Sequence, residues 1–303
     1  MQDLISRHGQ RYRFALSGSS ARKLKRGGAN LLPTRAINRR FFPLTASELG
    51  RSFRIEDALR FGCLPAVCSE RAEAARIDLL EAYAENYLTQ EIRQEALVKN
   101  LDSFARFLEV AAQQNAQVTN VSGIARDAGV ARPTVQGYFE ILVDTLVGTW
   151  LPAWRPRAKV KEVAHPKFYF FDTGATRALA RRLREPLGDE ERGHLLESYV
   201  FHELRAWQNR SSCGGEFSYW RTPAGSEVDF VWTRGTSTIG IEVKSGTRWR
   251  RGDGAALAQL AAEGKLRGAF GVYLGRERLR DGPVNVLPLS DFLDLLAAGR
   301  ILR

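Results

Sequence analysis

Four residues towards the C-terminus could carry phosphodiester chemistry together: Glu197, Asp229, Glu242 and Lys244. They fall in GHLLESYVFHELRAW, GSEVDFVW and GIEVKSG, which read as an amphipathic helix followed by two strands. A phosphodiester cleaver holds a divalent cation between acidic oxygens and sets a positive group beside the attacking water. Strand residues two apart point the same way, so Glu242 and Lys244 share a face. Asp229 lies on the neighbouring strand, joined through the turn-rich TRGTST. Two carboxylates among Val228, Phe230, Ile241 and Val243 repel unless a cation or proton neutralises them. Mg²⁺, with Mn²⁺ as its substitute, takes hard oxygen ligands and keeps waters for reaction. The expected metal set is Asp229, Glu242 and the carbonyl of Val243, with all three carboxylates gathered round one cation. Lys244 would orient or deprotonate the water and offset phosphate charge, and Glu197 would add a ligand or act through water. The competing reading is a salt-bridged polar strand in which Lys244 pairs with Glu242 or Asp229. Glu203, six residues beyond Glu197, reads as a surface charge on another side of the helix.

The elements around these residues predict an α/β chain in three parts. Residues 161–303 hold the candidate site: KFYFFDTG reads as a strand, LLESYVFHELRAWQNR as a helix, and FSYWRT, EVDFVW and TIGIEVKSG as three strands. A helix at GAALAQLAAEG, strands at GAFGVYLG and VNVLPL, and a last helix at SDFLDLLAAG complete it. Residues 51–160 read as helical. ARIDLLEAYAENYLTQEIRQEAL places apolar residues 77, 79, 80, 83, 87, 88, 92 and 97 near one face, and LDSFARFLEVAAQ does so with Phe104, Phe107, Leu108 and Ala111. Next, Asn120 or Ser122 can cap a short helix, Gly129 a tight turn, and Pro133 opens a second helix. Ile124, Ala125, Val130, Val135, Tyr138 and Leu142 are spaced as the core of a helix-turn-helix, and VGTWLPAWRPRAKV alternates as a wing hairpin would. On that winged-helix pattern, Arg132, Thr134 and Gln136 are candidate base readers and Arg155, Arg157, Lys159 and Lys161 candidate backbone contacts. The alternative use is packing between neighbouring domains. Residues 1–50 read as the tail of something larger, with a buried strand at YRFALSGSS.

The chain has 303 residues and a formal charge of +11, from 45 Lys and Arg against 34 Asp and Glu. That balance favours a polyanionic partner, DNA before an anionic membrane surface. Cys63, Cys68 and Cys213 form no C-x-x-C pair, and the four histidines lack ligand spacing, which argues against a zinc knuckle or disulfide framework. No stretch approaches the roughly 18 apolar residues of a spanning helix, so a cytoplasmic protein without membrane insertion is expected.

In FALSGSSARKLKRGGANLL, IARDAGVARPTVQGYFEIL, PKFYFFDTG, GHLLESYVFHEL, YWRT, EVDF and IEVKS the chain resembles prokaryotic AAA-type ATPases. Those proteins carry a winged helix and a C-terminal domain with a restriction-endonuclease-like, PD-(D/E)xK fold. The resemblance implies a truncated ATPase-core remnant over 1–50, a winged-helix region over 51–160 and a nuclease-like domain over 161–303. It also implies vestigial nucleotide-sensing roles for Ser17 and Ser19, and for Arg35 as an arginine offered to a neighbour's nucleotide; Thr34 stands where the family more often has Gly. No G-x-x-x-x-G-K-[ST] occurs, so this chain alone is not expected to hydrolyse ATP. A homo-oligomer or a separate ATPase subunit would supply that function. The expected function is DNA-associated, metal-dependent phosphodiester hydrolysis, with a non-catalytic DNA- or protein-binding module as the alternative.

Overall fold

The fold was analysed in a computed structural model that describes residues 39–86, 100–155 and 165–302. Ser17, Ser19, Arg35, Arg157, Lys159, Lys161, the YRFALSGSS segment and positions 87–97 of the long helical pattern lie outside the described residues.

A strap leads in through α1 (Ala46–Leu49) and a 3₁₀ turn to α2 (Ile55–Phe61), α3 (Pro65–Ser69) and α4 (Glu73–Asn86). On α4, Ile77, Leu80 and Ala84 are buried at helical spacing, whereas Leu79, counted on that face from the sequence, is exposed. The apolar face of α5 (Leu101–Gln113) buries Phe104, Phe107, Leu108 and Ala111 as the periodicity requires. Asn120 caps α6 (Val121–Ala128) by accepting a hydrogen bond from the Gly123 N–H at 3.0 Å. Gly129, at φ +66°, turns the chain left-handed, and Pro133 sits in the first turn of α7 (Arg132–Asp144). Ile124, Ala125, Val135, Tyr138 and Leu142 then join one core, with Val130 packed against it.

The strand after α7 takes an unexpected partner. β1 (Gly148–Leu151) pairs antiparallel with β2 (Lys167–Phe170), so KFYF, placed by the sequence at the start of the C-terminal part, reaches back across position 160. Aromatic packing explains the pairing: the Phe168 ring lies 4.7 Å from Phe139 and 4.8 Å from Trp150. Phe168 and Phe170 enter the upstream core, while Tyr169, on the other face of the strand, enters the downstream one. α8 (Thr173–Leu179) follows, wholly buried, and packs closely on α2. A Cβ at Gly174 would lie 2.0 Å from the Phe61 carbonyl oxygen, so only glycine fits there.

Downstream, α9 (Asp189–Ser211) precedes β3 (Glu216–Arg221), β4 (Glu227–Arg234) and β5 (Ser237–Lys244), an antiparallel run. α10 (Ala255–Ala262), β6 (Gly268–Tyr273), β7 (Leu279–Asp281), β8 (Val284–Pro288) and α11 (Leu289–Ala297) complete a mixed six-stranded sheet of order β3-β4-β5-β6-β8-β7. β5, β6 and β8 run parallel. α9 and α11 share a core with Ile239, Ile241 and Val243 on one face of the sheet. α10 covers the other face, where a Cβ on Gly240 would strike Leu257 and Leu266. The protein is therefore of the α/β class. Among the described residues, no helix is long and apolar enough to cross a membrane.

Candidate active site

Three structural elements deliver the acidic residues to one region. α9 supplies Glu197 from its middle, next to Leu196 and Val200, which bury in the core. β4 supplies Asp229 at an irregularity: Ser218 pairs with Val231 and Trp220 with Val228, so β4 carries one extra residue there. Such a bulge re-aims the side chains it contains. Beyond the last β4–β5 register pair, Phe230 with Ile241, the Asp229 Oδ2 accepts the Val243 N–H at 2.7 Å. A side chain thus replaces the next ladder carbonyl. β5 supplies Glu242 and Lys244, which by alternation turn to the α10 face, away from the Ile241 and Val243 side that packs on α9.

Glu197, Asp229 and Glu242 are all buried, at 8%, 7% and 5% exposure. Lys244 Nζ donates to Glu242 Oε1 at 2.5 Å. On the α9 side, Lys167 Nζ donates to Glu197 Oε1 at 2.8 Å and lies 2.5 Å from Glu227 Oε1. The Tyr169 hydroxyl also donates to Glu197 Oε1. At the rim, Arg221 stands 3.5 Å from Glu227. Four carboxylates meet two lysines and this one arginine, so acid outnumbers base.

The protonation states follow from that imbalance. Burial raises the Asp229 carboxyl to about 7, with the Glu197 charge adding to the shift and Lys167 and Lys244 opposing it. Burial, then repulsion from Asp229, drives Glu242 well above its ordinary range. Glu197 is raised by burial, against the pull of Lys167. Burial would depress both lysines, but their carboxylate neighbours outweigh it: Glu197, Asp229 and Glu227 hold Lys167 charged, and Glu242 and Asp229 hold Lys244 charged.

The structure divides the expected trio into two lysine–carboxylate groups, Lys167–Glu197–Glu227 and Lys244–Glu242, with Asp229 feeling both. Among the described residues, no three His, Cys, Asp or Glu side chains gather as a metal-binding group. Glu197, expected to add a ligand or act through water, has its Oε1 engaged by Lys167 and Tyr169. Asp229 and Glu242 do fit a hard divalent cation. Both are held above their usual range, and Glu242 Oε2 is buried without a hydrogen-bond partner. Val243 enters the site through its N–H; its carbonyl was the expected ligand.

Sequence reasoning missed Lys167, Tyr169 and Glu227. Their one signal was a Lys and a Tyr two residues apart in the aromatic strand KFYF, on the face opposite its phenylalanines. Glu203 is also corrected: it is buried, and its Oε1 accepts from the Ala46 N–H and the Tyr199 hydroxyl, each at 2.6 Å. The strap before α2 covers that side of α9, which the helix sequence alone leaves open to water. In the upstream part, Arg132 and Gln136 are exposed at the start of α7 and Thr134 is half-buried. Arg155 is exposed, and its charge reaches Tyr219, whose ring lies 5.4 Å from Lys167 Nζ.

Two family comparisons match. Residues 52–186 match the domain of unknown function DUF8612, and residues 192–292 match the domain of unknown function DUF4143. The junction, 187–191, runs into the first turn of α9, so β2, with its Lys167 and Tyr169, lies within the first match and Glu197, Asp229, Glu242 and Lys244 within the second. No curated protein matches the chain.

Proposed function

We propose that this chain is a DNA-associated protein whose C-terminal half hydrolyses phosphodiesters with a divalent cation held by Asp229 and Glu242. One observation carries the reading: a buried, unpartnered Glu242 oxygen beside a second carboxylate, both destabilised as anions by burial. A bound Mg²⁺ or Mn²⁺ would supply Lewis-acid charge to the phosphate and acidify a coordinated water. Asp229 and Glu242 would have to be deprotonated to hold it. Lys244, the partly exposed member of the site, keeps its ammonium charged beside Glu242 and is placed to orient water and offset phosphate charge. Glu197 acts as a positioning residue: pinned by Lys167 and Tyr169, it raises the Asp229 carboxyl from the α9 side. The α6–α7 unit, with Arg132 and Gln136 exposed, is the proposed groove reader of a winged helix. The DUF4143 match supports the association with AAA-type ATPases that the sequence motifs suggest.

The test is cleavage of plasmid and branched DNA in Mg²⁺ or Mn²⁺, with Asp229→Asn beside the parent protein. Loss of cutting in the variant is expected; equal cutting by both removes the assigned site. A second reading, a non-catalytic DNA- or partner-binding module, is favoured by the two lysines that already engage Glu197 and Glu242. DNA binding without cleavage in any divalent metal would select it.

A further inference from the structure

β5 and β6 end side by side, Lys244 paired with Tyr273, and the loops that leave them are tied by a Leu274 N–H to Gly246 carbonyl bond at 3.1 Å. We infer that these loops, residues 245–254 and 274–278, together with the adjoining β7, form a cationic rim that grips the backbone of double-stranded DNA beside Lys244. The choice of DNA rests on the phosphodiesterase reading; the rim itself rests on different observations.

First, the loops are fastened on their inner side. The Trp249 indole N–H donates to Asp281 Oδ2 at 3.0 Å, and its ring stands edge-on to Tyr273 at 6.4 Å. A Cβ on Gly271 would lie 2.5 Å from that indole, so glycine is what admits the ring. The Tyr273 hydroxyl donates to the Glu277 carbonyl at 2.6 Å, and the Arg250 N–H donates to Asp253 Oδ2 at 2.7 Å. Second, the outer side carries Arg248, Arg250, Arg251, Arg276 and Arg280, all exposed, and none forms an ion pair among the described residues. Elsewhere some surface arginines are matched, Arg60 with Glu73, Arg184 with Glu81 and Arg192 with Glu56. Others, such as Arg71, Arg132 and Arg234, stand singly without an ion pair among the described residues; the rim differs in gathering five such arginines on neighbouring segments. Of the rim arginines, Arg278 alone is paired, with Asp291. Guanidiniums without a carboxylate partner on a pinned surface present planar forks to phosphate oxygens with little further ordering to do, and Arg280 Nε also donates to the Gly282 carbonyl at 3.3 Å. Their place after the strand that ends in Lys244 puts that grip where a scissile phosphate would have to arrive.

The measurement is anisotropy of a labelled DNA duplex of about 20 bp bound to the full chain in EDTA, between ~50 and ~200 mM salt. Each lost phosphate contact flattens the slope of log K against log salt by about 0.9. The triple variant Arg248→Ser/Arg250→Ser/Arg251→Ser should flatten it by roughly 2 to 3 and weaken low-salt binding at least ~10-fold. Arg184→Ser, which removes an already paired arginine, should change neither, and circular dichroism should show both variants folded. If the triple variant proves unfolded, Arg276→Ser/Arg280→Ser carries the test, with a flattening of roughly 1 to 2 expected. An unchanged slope, an equal loss in Arg184→Ser, or binding to phosphatidylserine vesicles but not to duplex would overturn the rim. Because EDTA prevents cutting, this result is independent of the cleavage assay.

Discussion

Two buried glutamates on α9, six residues apart, serve the molecule differently. Glu197 and Glu203 are 8% and 6% exposed, each accepts a tyrosine hydroxyl, and burial raises the pKa of both. Glu203 completes its bonding with a neutral donor, the Ala46 N–H, and so fastens the strap to the helix. Glu197 instead binds the Lys167 ammonium and stands among Glu227 and Asp229, beyond which Glu242 keeps an unpartnered oxygen. Burial of a carboxylate therefore does not mark a reactive site. What sets the Glu197–Asp229–Glu242 region apart is several carboxylates competing for fewer cations, a repulsion that only a further cation or proton can relieve.

That contrast can be broken or sharpened in four ways. The largest effect should be on DNA cleavage: Asp229→Asn should lower its rate at least ~100-fold in a plasmid-nicking assay, whereas Glu203→Gln should leave it unchanged. A matching loss in Glu203→Gln would erase the distinction. Next comes stability. Lys167→Met strands Glu197 without its cation and should cost about 3–5 kcal/mol in urea unfolding. Tyr199→Phe, at the Glu203 end, should cost about 1 kcal/mol.

The third effect is on pH dependence. The folded Asp229 pKa of about 7 lies above the ordinary aspartate value of 3.8. The native state therefore binds the extra proton across that window, and this group's contribution is greatest below about 4 and declines as pH rises towards 7. Urea unfolding of Asp229→Asn should show a flatter decline between those values, and a parallel decline would refute the assignment. For the same reason Mn²⁺ affinity, read by calorimetry, should fall as pH drops below 7, since the ligand must lose its proton first. The smallest effect is Glu203→Gln itself. The amide oxygen can still accept from Tyr199 and Ala46, so stability should stay within about 1 kcal/mol of the parent.

Much of the local structure was legible. The Asn120 cap, the left-handed Gly129, Pro133 at the head of α7, and the apolar positions of α5, α6 and α7 behave as their residue types require. The three antiparallel strands that carry Asp229 and Glu242 were legible too, because alternating β-branched and aromatic residues between turn residues have few other ways to pack. What escaped was the partner of β2 and, with it, the lysine that holds Glu197. KFYF reads equally well as the first strand of the downstream part or the second strand of the upstream ribbon, and only the Phe139, Trp150 and Phe168 rings choose between them.

The amino-acid order alone indicated most of the described helices and strands, though not β7, most of their apolar faces, and that Glu242 and Lys244 share a side of one strand. Those are short-range properties, set by torsional preference and by the periods of helix and pleat. Tertiary structure decided the charge balance. Lys167 meets Glu197 from 30 residues away, and Ala46 meets Glu203 from 157. Compensation of a buried charge depends on which distant segment arrives within hydrogen-bond reach, and that is fixed by the packing of whole layers.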